Sequence, residues 1–159
     1  MEIRKSKFED FNKIMKIYRD AAVFMAENGN PTQWVGYPSE EMVKNDIEKG
    51  QSYVCIQEDD ILAVFVYFEE NDPWYEYIEG KWLNDEPYGV VHRIASARKQ
   101  KGCGEFCIRW AFERCKNLRI DTHKDNIPMQ NLLNKLNFKY CGTVYVVENS
   151  PRMAFQKTE

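Results

Sequence analysis

The chain has 159 residues, 43% of them hydrophobic and 14% aromatic, and a net charge of -3. That length and apolar content suffice for one core without disulfides or metals, and the acidic balance excludes a general nucleic-acid binder, which needs a basic face to neutralise phosphates. No apolar run reaches a membrane span, the first residues lack the apolar centre of a signal peptide, and the five scattered cysteines form no C-x-x-C pair. The expectation is one cytoplasmic domain, 1–159, with reduced thiols and no metal, membrane or nucleic acid among its partners.

In chain order, Ile3 and Arg4 suit a short first strand. Ser6 and Glu9 have the spacing of a capping box, and Phe11, Ile14, Met15, Tyr18, Ala22 and Met25 trace a helical stripe that ends near Gly29, before Pro31. Ser39 to Lys49 reads as a second helix, capped by Ser39, stopped by Gly50 and apolar along Met42, Val43 and Ile47. Ser52 to Gln57 and Ile61 to Phe68 form a hairpin around Asp59-Asp60. Tyr88 to Ala95 is a nearly unbroken apolar run, the pattern of a strand buried on both faces. A helix follows Gly102, carried by Phe106, Ile108, Trp110, Ala111, Phe112 and Cys115, and ends near Asn117. Leu118 to Asp121 reads as a strand and Ile127 to Leu136 as a helix; Tyr140 to Val147, broken by Gly142, and Met153 to Gln156 complete a mixed sheet flanked by helices.

The segment from Tyr88 to the helix after Gly102 carries most of the functional information. A strand, a glycine turn and a helix in that order aim backbone N–H groups and the positive end of a helix dipole at one point, and Arg98, Lys99, Gln100 and Lys101 add side-chain charge around it. Unpaired amides over residues 102 to 106 would suit a phosphate or pyrophosphate. Neither familiar phosphate loop is present: Cys107 stands where a dinucleotide fingerprint has its third glycine, and Glu105 follows Gly104 where a triphosphate loop has lysine. Taken alone, Gly102 and Gly104 equally make a tight turn with no ligand. Cys103 and Cys107 lack a histidine partner for zinc. Cys107 and Cys115 read as core, whereas Cys103, at a helix N-terminus that lowers thiol pKa, is a candidate reactive thiol.

A second segment agrees with the first. The run His92, Arg93, Ile94, Ala95 with Gly102, Cys103 and Gly104, followed by Asp121, Thr122, His123 to Asn126, Met129, Leu132, Leu133 and Asn137-Phe138, resembles the GNAT superfamily of acetyl-coenzyme-A-dependent N-acetyltransferases. The resemblance implies a single-domain α/β (α+β) fold with a mixed, mostly antiparallel central sheet and acetyl-coenzyme A at splayed central parallel strands. It implies that Ile94, Ala95 and Ser96 line the pantetheine arm and that Lys99, Gln100, Lys101, Gly102, Cys103, Gly104, Glu105 and Phe106 surround the pyrophosphate. Asn126 and Met129 come from the second motif. Three positions depart from the family pattern: Lys99 replaces Gln or Arg, Leu133 replaces a tyrosine that can protonate the leaving thiolate, and Asn137 replaces glycine at a position whose left-handed backbone asparagine tolerates.

An amine must lose a proton before it attacks a thioester, and the oxyanion that forms needs an N–H donor. Imidazole changes charge near physiological pH, so His92 is the leading base, on a strand whose alternation puts Val90, His92 and Ile94 on one side; a hydrogen-bonded core histidine is the other reading. His123 is the rival base, or else it orients Asp125 or caps the next helix. By resemblance the N–H of Ala95 is the oxyanion donor. The acceptor, a small-molecule or peptide amine, is expected at two loops: Asn28 to Tyr37, with Trp34 and Tyr37, and Glu69 to Glu86, with Glu69, Trp74 and Trp82. Aromatic faces beside carboxylates suit a cation, although a solvated edge hairpin has the same composition. A coenzyme-binding module without turnover is the competing function, and monomer and homodimer are both open.

Overall fold

The computed structural model describes residues 1–159. In chain order its elements are β1 (Glu2–Lys5), α1 (Phe11–Glu27), α2 (Glu40–Glu48), β2 (Ser52–Gln57), β3 (Asp60–Phe68), β4 (Glu79–Gly80), β5 (Gly89–Ser96), α3 (Cys103–Cys115), β6 (Asn117–Thr122), α4 (Ile127–Lys135), β7 (Lys139–Val146) and β8 (Ser150–Thr158). They fall into two units, Met1–Tyr67 with His92–Trp110, and Phe68–Val91 with Ala111–Glu159. No helix is long and apolar enough to cross a membrane.

In the first unit the strands run β1-β2-β3-β5, with β1 and β3 antiparallel to β2. Gln57 pairs with Asp60, so the turn residues are Glu58 and Asp59, not Asp59 and Asp60, and Glu58 takes the positive φ of 56° that so short a link demands. β3 is buried from Ile61 to Tyr67 because both faces are covered. On one face α1 and α2 bring Ile14, Ile17, Tyr18, Val43 and Ile47 to Val54 and Val64. On the other, Trp110 of α3 sits among Tyr53, Phe65 and Tyr67, with ring centroids 4.9, 5.7 and 5.6 Å away.

The capping box expected from Ser6 and Glu9 is built one step later. The Asp10 carboxylate accepts the Lys7 amide at 2.8 Å and takes the Arg4 guanidinium in a two-pronged pair at 2.8 and 3.1 Å. Ser6 is spent elsewhere, its Oγ 2.8 Å from Ser52 Oγ. Ser39 caps α2 as its spacing predicts, its Oγ accepting the Met42 amide at 3.2 Å.

In the second unit β5 runs parallel to β6 at Gly89↔Leu118 and Val90↔Arg119, and β6-β8-β7-β4 continue antiparallel. The expected break at Gly142 is a bulge, where β7 passes so close to β4 that a Cβ on Gly142 would stand 2.1 Å from the Glu79 carbonyl oxygen. The Glu69 to Glu86 segment is not one long loop: it holds a 3-10 turn over Pro73–Tyr75 and strand β4. Tyr75 and Trp82 belong to a core with Val90, Cys141, Val144 and Ala154. α4 begins at Asn126, whose side-chain oxygen accepts the Met129 amide at 3.2 Å, and ends before Asn137, which takes the expected left-handed backbone at φ 67°.

Candidate active site

A cleft of about 470 Å³ opens at the N-terminus of α3, lined by Ser96 and the run Arg98 to Gly104. Gly102 turns the chain into the helix at φ +86°, a conformation that suits glycine, and a Cβ there would meet open space. An α-helix leaves its first four N–H groups without intrahelical acceptors. One amide expected to be unpaired is not: Phe106 N–H donates to the Gly102 carbonyl at 2.9 Å as the first bond of the helix, which removes it from the anion-facing set. The flanking cations are partly engaged. Lys99 Nζ lies 3.8 Å from Asp60 in an exposed pair, and the Arg98 guanidinium stacks over Phe24 at 4.0 Å. Ser96 Oγ accepts the Arg98 amide at 3.0 Å and so fixes the turn between strand and cleft. The arrangement of dipole, amides and lysines fits a phosphate ester.

Cys103 does not fit the reactive-thiol expectation. It is 1% exposed, its Sγ donates to the Gln100 carbonyl at 3.2 Å, and burial, with Cys55 nearby, pushes its pKa up rather than down. Cys107 is fully buried as expected, whereas Cys115 is only half-buried.

Upstream of the cleft, β5 does not alternate regularly. Arg93 has φ +49°, which kinks the strand between His92 and Ile94 and breaks the shared face expected of Val90, His92 and Ile94. The Arg93 side chain is held by both oxygens of Asp46, Nε to Oδ2 at 2.9 Å and Nη2 to Oδ1 at 2.8 Å, and Nη1 donates to the Tyr37 hydroxyl at 2.9 Å. The Tyr18 hydroxyl donates to the Arg93 carbonyl at 2.8 Å. Burial pushes the Asp46 carboxyl above its ordinary range, against the pull of Arg93 and, more weakly, of Lys49 and His92. Burial likewise opposes the Arg93 charge, but Tyr37 and Asp46 outweigh it and hold that guanidinium above its ordinary value. His92 is half-buried and within electrostatic reach of Asp46.

Of the expected acceptor residues in this unit, Tyr37 is thus engaged with the chain's own arginine. Trp34 is core, edge-on to Tyr18 at 5.6 Å and to Tyr37 at 6.0 Å. Asp46 and Arg93 were not among the expected site residues. A pair separated by 47 positions has no local sequence signature, and only the charge of two residues in otherwise apolar faces hinted at it.

The remaining expected residues lie in the second unit. Trp82 is core, its indole N–H donating to the Tyr75 carbonyl at 2.9 Å and its face covered by Arg119 at 4.2 Å. Trp74 is 46% exposed, and Glu69 is exposed. The Tyr75 hydroxyl donates to Asp121 at 2.6 Å. His123 is buried; its Nδ1 accepts the Asp125 amide at 3.0 Å, which places it as a brace of the turn before α4. Burial first, then Arg152, lowers its pKa, making it a weaker base than an ordinary imidazole. Leu133 is fully buried in α4, so no hydroxyl stands at that position.

No protein-family model and no curated protein sequence matches the chain. Solved structures do. An acetyltransferase of the GNAT family from Streptococcus agalactiae 2603 is 30% identical, with a TM-score of 0.90 over 99% of this chain and 95% of that one. A GNAT-family acetyltransferase from Listeria monocytogenes 4b F2365 is 19% identical, with a TM-score of 0.71 over 98% and 93%. The NatC complex bound to Gag peptide and CoA contains a chain 13% identical, with a TM-score of 0.63 over 100% and 99%. The last two are likenesses of fold.

Proposed function

The chain belongs to the GNAT family of acetyltransferases, and from that premise we propose that it moves an acetyl group from acetyl-coenzyme A to the amino group of a small molecule or peptide by direct attack. The observation that carries this reading is the cleft at the start of α3, where Gly102, the helix amides and two lysines form a receptacle for a diphosphate. Bound there, the coenzyme supplies an activated thioester. The chain's own residues do the rest. Gly102 to Glu105 hold the diphosphate, Ile94 to Ser96 guide the pantetheine arm, and the N–H of Ala95 receives the negative charge that develops on the carbonyl oxygen. His92 takes the proton from the ammonium acceptor, whose freed amine attacks the thioester carbonyl and displaces the coenzyme thiolate.

In the first unit the acceptor side is the Asn28 to Tyr37 loop. The test is release of free thiol from acetyl-coenzyme A in the presence of a panel of primary amines and peptides. Amine-dependent thiol release supports the proposal. Saturable coenzyme binding with no thiol release across the panel would make the chain a coenzyme-binding module, the function that an apolar, buried Leu133 in place of a proton donor favours.

A further inference from the structure

Arg93 is a non-glycine residue in the left-handed region, in the interior of a strand. That backbone is disfavoured for a long side chain and persists only where the surroundings over-determine it. Four hydrogen bonds do so: the guanidinium donates two to Asp46 on α2 and one to the Tyr37 hydroxyl in the preceding loop, and the Tyr18 hydroxyl on α1 donates to the residue's own carbonyl. Both charged partners are largely buried, with side chains 15% and 8% exposed. A buried ion pair is a poor source of stability, because apolar residues of the same volume serve as well or better. What the two-pronged pair supplies is a fixed direction.

We propose that Arg93 is a positioning residue: the Asp46–Arg93–Tyr37 clamp fixes the kink in β5 that aims the His92 imidazole and the N–H groups of Ile94 and Ala95 at the acyl end of the coenzyme. This rests on the acetyl-transfer reading above. The clamp touches no reacting atom, and the diphosphate cleft lies farther along the chain, beyond Ser96. Loosening the clamp therefore lowers turnover while coenzyme affinity stays the same, because small misalignments of reacting groups are costly to rate and not to remote binding.

The experiment compares Asp46→Asn, which removes charge at constant volume, Arg93→Lys, which keeps charge but loses the planar fork, and Tyr37→Phe, which removes one hydrogen bond. Steady-state rates, coenzyme Kd by calorimetry, and backbone amide shifts of Ile94 and Ala95 by nuclear magnetic resonance are read together. Expected are falls in kcat of about 10- to 100-fold for the first two variants, an unchanged Kd for coenzyme A, and displaced Ile94 and Ala95 amide signals. Variants that lose thermal stability but keep wild-type kcat at saturation overturn the proposal. If Asp46→Asn or Arg93→Lys does not fold, Tyr37→Phe decides, and an unchanged kcat with unmoved amide signals overturns it. Should the wild-type protein show no acetyl transfer, the function falls, and the clamp is still judged by the amide signals: if they do not move in the variants, it falls too.

Discussion

His92, the proposed base, stands half-buried one residue before the kink in β5. If it is the base, replacing it with alanine lowers kcat about 100- to 10,000-fold and leaves the cleft lined by Ser96 and Arg98 to Gly104 intact. Acetyl-transfer rates and coenzyme Kd for His92→Ala check both halves, and an unchanged rate removes His92 from the mechanism. His123 belongs to stability. In the unfolded chain its imidazole takes a proton as pH falls through about 6.5, whereas burial and Arg152 keep it neutral in the fold. The unfolded state therefore binds more protons, and stability declines as pH falls from about 6.5 towards the lowered folded value. Between pH 7.5 and 5.5 the wild-type melting temperature should fall more than that of His123→Gln, and identical slopes would contradict this. The residues hardest to read in the sequence were those whose partners are remote. Ser6 has the local spacing of a cap but bonds Ser52, and Asp46 looks like one more helix-surface acid until Arg93 is brought to it.

At the scale of elements, local chemistry was readable wherever the physics was local. The Ser39 cap, the left-handed Asn137 and the start of α3 after Gly102 each depend on residues within one turn, and each is found where the sequence put it. The β4 segment was not legible, because two residues of strand carry no periodicity. It exists because β7 bulges at Gly142 and lets two glycine backbones, Gly80 and Gly142, approach; added Cβ atoms would stand 2.2 and 2.1 Å from carbonyl oxygens. Gly142→Ala also forces alanine into φ +143°, so it should cost more than about 2 kcal/mol of stability. Urea unfolding measures this, and a loss under about 0.5 kcal/mol, the size of an ordinary surface change, would show that the approach is relaxed.

At the scale of the molecule, both units follow the same logic of apolar residues covering a sheet, but they differ in what they hold. The first contains the cleft, the kink and the buried clamp; the second is braced by aromatic rings and by the Tyr75–Asp121 bond. A mixed, mostly antiparallel sheet with parallel central strands was expected from the family resemblance, whereas the order β5-β6-β8-β7-β4 was not, because apolar patterning leaves strand order open. Aromatic content told where large side chains are, not whether they face solvent, so Trp34 and Trp82 were expected in loops and are core.

The proposed grip of the α3 amides on the diphosphate of coenzyme A is one that Gly104→Asp should break. An aspartate in the first turn favours the helix dipole, so the fold should keep its melting temperature, while its charge repels the ligand's phosphates. Calorimetric titration with acetyl-coenzyme A should show saturable one-site binding to the wild type and at least about tenfold weaker binding to the variant, a difference of about 1.4 kcal/mol. Equal affinity of the two proteins, or no heat from the wild type, would contradict the account.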